Sequence, residues 1–135
     1  VFNKRDAFWE RAVANLETIG KAAPACKISL NDLDDADALR ASIEGSDILT
    51  NATRVGMKPM DDVSLITDLT MLRPGLIVTD VVYDPEETKL LHEAKAAGCK
   101  TFDGLGMLVE QGTASFKLYT GLDMPVAEVC DAIYR

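Results

Sequence analysis

The sequence predicts an α/β domain with parallel strands, on three observations. Short apolar runs alternate with segments whose apolar residues recur at helical spacing. Residues 76–82 are apolar or Thr at six of seven positions, which predicts a strand buried on both faces. Each strand candidate runs into a polar or Gly-bearing loop, and such sheets bind ligands beyond the carboxyl ends of their strands.

The elements follow in order. Val1-Phe2 ends a strand, Asn3-Lys4-Arg5-Asp6 is a loop, and Phe8, Ala12, Leu16 and Ile19 mark a helix that closes at Gly20. Residues 26–30 alternate as a strand. Asp34-Asp35 open a second helix carrying Ala36, Leu39 and Ile43 to Gly45, with acidic residues where the helix dipole favours them. Residues 47–50 form a third strand that enters Asn51-Ala52-Thr53-Arg54-Val55-Gly56-Met57-Lys58-Pro59, too rich in Gly, Pro and polar groups to continue an element. A weak helix over 64–72 precedes the strand 76–82. Asp84 then predicts an N-cap and Pro85 a first helical turn, with Leu90, Leu91, Ala94 and Ala97 as the apolar stripe and Gly98 as the stop. Residues 100–102 form the last strand, Asp103-Gly104-Leu105-Gly106 a turn, and helices run from Met107 to Tyr119 and from Pro125 to Ile133.

Composition narrows the function. The chain has 135 residues, enough for one domain with a core. Fourteen Lys and Arg against 22 Asp and Glu give a net charge of −8, which argues against nucleic acid as a partner. No apolar run approaches the roughly 18 residues of a membrane span, so no membrane partner is expected. Cys26, Cys99 and Cys130 lie far apart without metal-ligand spacing; they read as small buried hydrophobes in a reducing cytoplasm, with no zinc cage. The clusters Asp34-Asp35-Asp37 and Asp61-Asp62 lack the order of a calcium loop and read as helix-start and loop charge, so no metal is expected. His92, the single histidine, falls opposite most of its helix's apolar stripe and reads as a surface residue. The chain opens on Val1 with neither an initiator Met nor a signal peptide, which suggests a piece of a longer protein.

The loops after the strands carry the rest, and all four are expected on one rim. Asn3-Lys4-Arg5-Asp6, the stretch from Asn51 to Pro59, Asp80-Val81-Val82-Tyr83-Asp84-Pro85-Glu86-Glu87-Thr88 with Leu90-Leu91, and Asp103-Gly104-Leu105-Gly106-Met107-Leu108-Val109-Glu110-Gln111-Gly112 together resemble the shikimate dehydrogenase family in order and spacing. The first stretch and Met57-Lys58-Pro59 are most similar to its quinate/shikimate dehydrogenase branch.

The resemblance implies the C-terminal, NAD(P)-binding half of an enzyme about twice this size, over residues 1–135, with a three-layer Rossmann-like parallel sheet. The implied reaction is reversible hydride transfer between NAD(P) and the 3-hydroxyl carbon of shikimate or quinate. No catalytic residue is expected in this chain, because the family's proton-transferring Lys and Asp belong to an absent N-terminal domain. The family's first Rossmann strand and Gly-rich phosphate turn would also lie before Val1, so the isolated chain is expected to be inactive, to bind dinucleotide weakly and to self-associate through the exposed sheet gap.

Residue roles follow by the same resemblance. Asp6 accepts the adenosine ribose hydroxyls and repels a 2′-phosphate, or caps the helix that begins beside it, or both. Asn3 faces the same ribose, while Lys4 and Arg5 are able to pair with a 2′-phosphate, so NAD is expected first with NADP possible. The Thr and later Arg of NADP-preferring members do not occur here. Thr53 and Arg54 lie along the cofactor. Val81, Gly104 and Met107 flank the nicotinamide half, with an ordinary strand residue, turn and core Met as the plainer alternatives. Tyr83 and Gln111 contact the polyhydroxy acid. The competing functions are a non-catalytic Rossmann-like interaction or regulatory module, and a related two-domain dehydrogenase acting on a folate or an amino acid.

Overall fold

The computed structural model describes residues 1–133. The chain divides into two compact units, Val1–Ser46 and Asp47–Arg135, each with its own parallel strands.

In the first unit, β1 (Phe2–Asn3) pairs in parallel with β2 (Asn31–Asp32). The ladder extends from the Val1 amino group donating to the Ser29 carbonyl, 2.8 Å, to the Leu33 N–H donating to the Asn3 carbonyl, 2.9 Å. The second strand is therefore 31–32 and not 26–30, because residues 26–28 precede the first rung. Helix α1 (Trp9–Ala22) runs through Gly20, where the sequence predicts a stop, and buries no residue; Ala12 and Leu16 are only half-buried. Helix α2 (Ala36–Glu44) begins as expected, with the Asp35 carboxylate accepting from the Ala38 N–H, and buries Leu39 and Ile43.

In the second unit, β3 (Ile48–Asn51), β4 (Ile77–Asp80) and β5 (Lys100–Phe102) form a parallel sheet in that order. The register aligns Leu49 with Val78 and Thr101, and Asn51 with Asp80. Side chains alternate across a strand, so Leu49, Asn51, Val78, Asp80 and Thr101 share one face. Val78 and Leu76 are fully buried, each stabilising the fold by about 1.5–3 kcal/mol. Burial of β4 on both faces does not occur: Ile77 and Thr79 are half-buried, and their neighbours Ile48 and Phe102 on that face are about half exposed. Thr79 spends its hydroxyl on the Thr50 hydroxyl, 2.9 Å away, rather than on a covering layer.

Helix α3 (Lys89–Ala96) packs on β4 and β5 and buries Leu90, Leu91 and Ala94. It starts four residues later than Asp84-Pro85 predict, because the hydroxyl of Thr88 caps it by accepting from the Leu91 N–H. The expected helix over 64–72 is one 3₁₀ turn, Leu69–Met71, capped by Asp68. Helix α4 (Leu105–Thr120) begins two residues before Met107 and ends at Gly121 in the left-handed conformation, φ +73°, and α5 (Val126–Ile133) packs on it. Cys99 is buried, but Cys130 is half-buried and Cys26 exposed, so the reading of all three as core residues fails for Cys26. Cys26 lies in the stretch that precedes the β2 ladder and faces solvent. No helix among the described residues is long and apolar enough to cross a membrane.

Candidate functional site

In the second unit, the carboxyl ends of the strands converge on a buried polar network. Asp80, the last residue of β4, lies almost fully buried and is the one charged residue of the strand. Its carboxylate accepts from the Asn51 Nδ2 at 3.0 Å on both oxygens, from the Val82 N–H at 2.9 Å and from the Thr88 hydroxyl at 2.8 Å. Buried carboxylates persist only when their acceptor sites are filled, and here neutral donors fill them.

Asn51, at the end of β3, extends the network into the following loop. Its Nδ2 also donates to the Val55 carbonyl, 2.9 Å, while its Oδ1 accepts from the Thr53 N–H and hydroxyl at 3.0 and 2.8 Å. This fixes the amide orientation, since the reverse would aim an oxygen at Asp80. Gly56 closes the loop at φ +102°, and a Cβ there would lie 3.0 Å from the Thr88 methyl carbon.

The turn after β5 closes on the same region. The Gly104 N–H donates to the Val82 carbonyl at 3.0 Å, and the Val81 N–H donates to the Asn51 carbonyl at 3.0 Å. Thr53, Val81 and Gly104 are thus held at one rim of the second unit. Arg54 and Tyr83 are exposed on the loops that leave this rim. Met107 is 42% exposed, which removes the core alternative for it, and Gln111 follows one helical turn later on the same face of α4.

In the first unit, residues 3–6 follow β1. Arg5 pairs through Nε with the Asp32 carboxylate, 3.1 Å, and its guanidinium lies 4.5 Å from the centre of the Trp9 ring. Lys4 approaches Asp34 at 3.9 Å with both side chains exposed. Asp6 accepts from the Phe8 N–H at 2.8 Å in the turn before α1; the N-cap of α1 is Phe8 and carries no side-chain cap bond, so the capping alternative is not met, and the carboxylate retains acceptor capacity beyond its one bond. Asn3 donates to the Lys4 carbonyl at 3.3 Å.

His92 is exposed and touches Glu87, which also binds Lys95. The Glu87 carboxyl lies below its ordinary range because Lys95 and then His92 hydrogen-bond it, and Lys95 is raised by the same contact. Among the described residues, no group of three His, Cys, Asp or Glu is placed to hold a metal ion.

The sequence by itself assigns no role to Asp80, Thr88, Asp32 or Trp9, and gives Asn51 only a place in a loop. A carboxylate ending an apolar strand is the one signal that singles out Asp80, since burying it demands several donors.

Comparison with known proteins fixes the ancestry. Residues 104–134 match the shikimate 5′-dehydrogenase C-terminal domain. The quinate/shikimate dehydrogenase of Escherichia coli O139:H28 is 46% identical over 129 residues, 96% of this chain and 44% of that protein. The chain belongs to the shikimate/quinate dehydrogenase family.

Solved members agree. The Listeria monocytogenes shikimate 5-dehydrogenase, in complex with shikimate and NAD, is 43% identical and superposes with a TM-score of 0.91 over 98% of this chain and 45% of its own. The Corynebacterium glutamicum quinate dehydrogenase, in complex with NAD, is 34% identical with a TM-score of 0.76 over 88% of this chain and 40% of its own. Other solved members of the shikimate/quinate dehydrogenase family hold NADP. The chain spans about 44% of the length of the curated relatives it matches.

Proposed function

We propose that residues 1–135 are the C-terminal nucleotide-binding domain of an NAD(P)-dependent oxidoreductase that moves hydride reversibly between the dinucleotide and the 3-hydroxyl carbon of shikimate or quinate. The observation that carries the reading is the rim of the second unit, where Thr53, Val81 and Gly104 are held at the carboxyl ends of parallel strands, with Tyr83 exposed on a loop that leaves it, in a chain of this family. The dinucleotide supplies the hydride acceptor when bound; the chain's own residues bind and orient.

In the first unit, Asp6 and Asn3 take the adenosine ribose. Arg5 already has a carboxylate partner in Asp32, which lowers its capacity to hold a 2′-phosphate and supports NAD as the preferred cofactor, with NADP as the weaker. In the second unit, Thr53 and Arg54 line the cofactor, and Val81, Gly104 and Met107 flank its nicotinamide half. Tyr83 and Gln111 are polar, uncharged and exposed, and they hydrogen-bond the polyhydroxy acid without adding charge.

The proposed enzyme takes its proton-transferring residues, its first Rossmann strand and its Gly-rich phosphate turn from a part of the polypeptide outside these residues. The 135-residue chain alone is then inactive, binds dinucleotide weakly and tends to self-associate.

Two measurements test the proposal. The full-length polypeptide reduces NAD with shikimate or quinate, and failure with both acids refutes the assignment. Calorimetry of the 135-residue chain gives NAD affinity weaker than micromolar; micromolar binding would overturn the incomplete-site reading.

A further inference from the structure

Asp80 sits where three pieces of the second unit meet. Through Asn51 it reaches the loop after β3, through the Val82 N–H it holds the exit of β4, and through Thr88 it reaches the first turn of α3. None of these bonds is available to a ligand, because Asp80, Asn51 and Thr88 are 2%, 3% and 1% exposed. The network therefore acts on a ligand only by placing what surrounds it.

Two of the three connections lead to exposed residues of the rim. The Asn51 Oδ1 fixes Thr53, whose hydroxyl in turn accepts from the Val55 N–H at 3.1 Å, so Arg54 lies between two pinned residues. The Val82 N–H bond fixes the backbone one residue before Tyr83, and the Val82 carbonyl receives the Gly104 N–H. Reorienting one carboxylate would release both segments together.

We propose that Asp80 is a positioning residue: its buried carboxylate sets the loop bearing Thr53 and Arg54 and the strand exit bearing Tyr83 in the fixed arrangement that receives a bound ligand. The ligand-binding part of this inference rests on the function proposed above; the pinning of the two segments rests on geometry alone. Asparagine replaces Asp80 poorly: it keeps one acceptor oxygen, and its NH₂ must face Asn51 Nδ2 on either side, together with the Val82 N–H on one or, on the other, a Thr88 hydroxyl that would have to turn from donor to acceptor.

The test compares Asp80→Asn, Thr88→Val and Thr88→Ser. In the 135-residue chain, amide hydrogen exchange at Thr53, Val55 and Val82, whose N–H groups the network holds, is expected to quicken at least tenfold in Asp80→Asn, with β4 amides 77–79 still protected. Thr88→Val shows the same pattern more weakly, and Thr88→Ser restores wild-type rates because the hydroxyl remains. Uniform quickening across β3 to β5, or unchanged loop exchange, overturns the proposal in favour of a general stabiliser or a spectator. Should Asp80→Asn fail to fold, the contrast between Thr88→Val and Thr88→Ser decides alone.

In the full-length polypeptide, kcat/KM for the polyhydroxy acid is expected to fall by up to about 10²-fold in Asp80→Asn, the scale of a misplacement near 1 Å, and to stay near wild type in Thr88→Ser. If wild type turns over and Asp80→Asn matches it, the positioning role fails while the dehydrogenase reading stands. If wild type oxidises neither acid, the dehydrogenase reading fails and the ligand-placing role with it.

Discussion

Gly104 lies so close to Val81 that a Cβ at position 104 would sit 2.3 Å from the Val81 carbonyl oxygen and 2.7 Å from that of Val82. The neighbours are backbone, which cannot swing aside as a long side chain can. The bare Cα is therefore required by the protein's own strand exit, before any ligand is considered. Gly104→Ala is expected to destabilise the chain by roughly 1–3 kcal/mol as the turn is forced off β4. Urea unfolding with an unchanged slope and a lower midpoint would show it; a midpoint equal to wild type would show that the turn relaxes freely.

The Asn51–Asp80 contact makes a sharper comparison. Asn51→Ala removes the donor and leaves carboxylate acceptor sites unfilled, at a cost of about 1–3 kcal/mol. Asn51→Asp places a second buried carboxylate where an amide stood 3.0 Å from the first, and should cost more than the alanine variant. Chemical denaturation of both at neutral pH ranks them. If the aspartate variant is the more stable, the Asp80 carboxylate does not depend on the Asn51 amide as a donor.

Helices and strands were legible in the sequence wherever a short-range rule set them. Asp35 caps α2, Pro125 precedes α5 and the apolar run ending at Val82 contains β4, because capping and apolar periodicity act over a few residues. The start of α3 was not legible. Asp84-Pro85 satisfies every local rule for a helix start, but Thr88 has both the cap and a buried partner, Asp80, eight residues away. The same limit applies to the site. The family resemblance points to Thr53, Arg54, Tyr83 and Gly104, whereas the residues that fix their surroundings, Asn51, Asp80 and Thr88, come together only through strand register and helix packing.

Glu87, Lys95 and His92 form an exposed cluster whose contribution varies with pH. The folded-state carboxyl of Glu87 is lowered from 4.5, so its stabilisation is fully present above that value and is lost as pH falls through the folded value. Lys95 is raised from 10.5, so its share is present below that value and is lost as pH rises through the folded one. Both groups are solvent-exposed, and salt screens them. Glu87→Gln should therefore lower the melting temperature slightly at neutral pH and low salt, with the difference from wild type vanishing in strongly acidic buffer and shrinking in high salt. A difference that grew on acidification would contradict the assignment.

In the function proposed above, cofactor choice would rest on two carboxylates of the first unit, Asp6 and Asp32. Asp6 supplies the negative charge that a 2′-phosphate would meet, and Asp32 occupies the Nε of Arg5, the guanidinium best suited to pair with that phosphate. Removing each carboxylate should act differently. Asp6→Ala weakens NAD use, because the ribose hydroxyls lose an acceptor, and narrows the preference over NADP by about tenfold, or about 1.4 kcal/mol. Asp32→Asn leaves NAD use nearly intact and improves NADP use, since Arg5 is released toward the phosphate while Trp9 still supports its guanidinium face. Ratios of kcat/KM for the two dinucleotides in the full-length polypeptide separate these effects. A preference unmoved by either change would mean that neither carboxylate selects the cofactor.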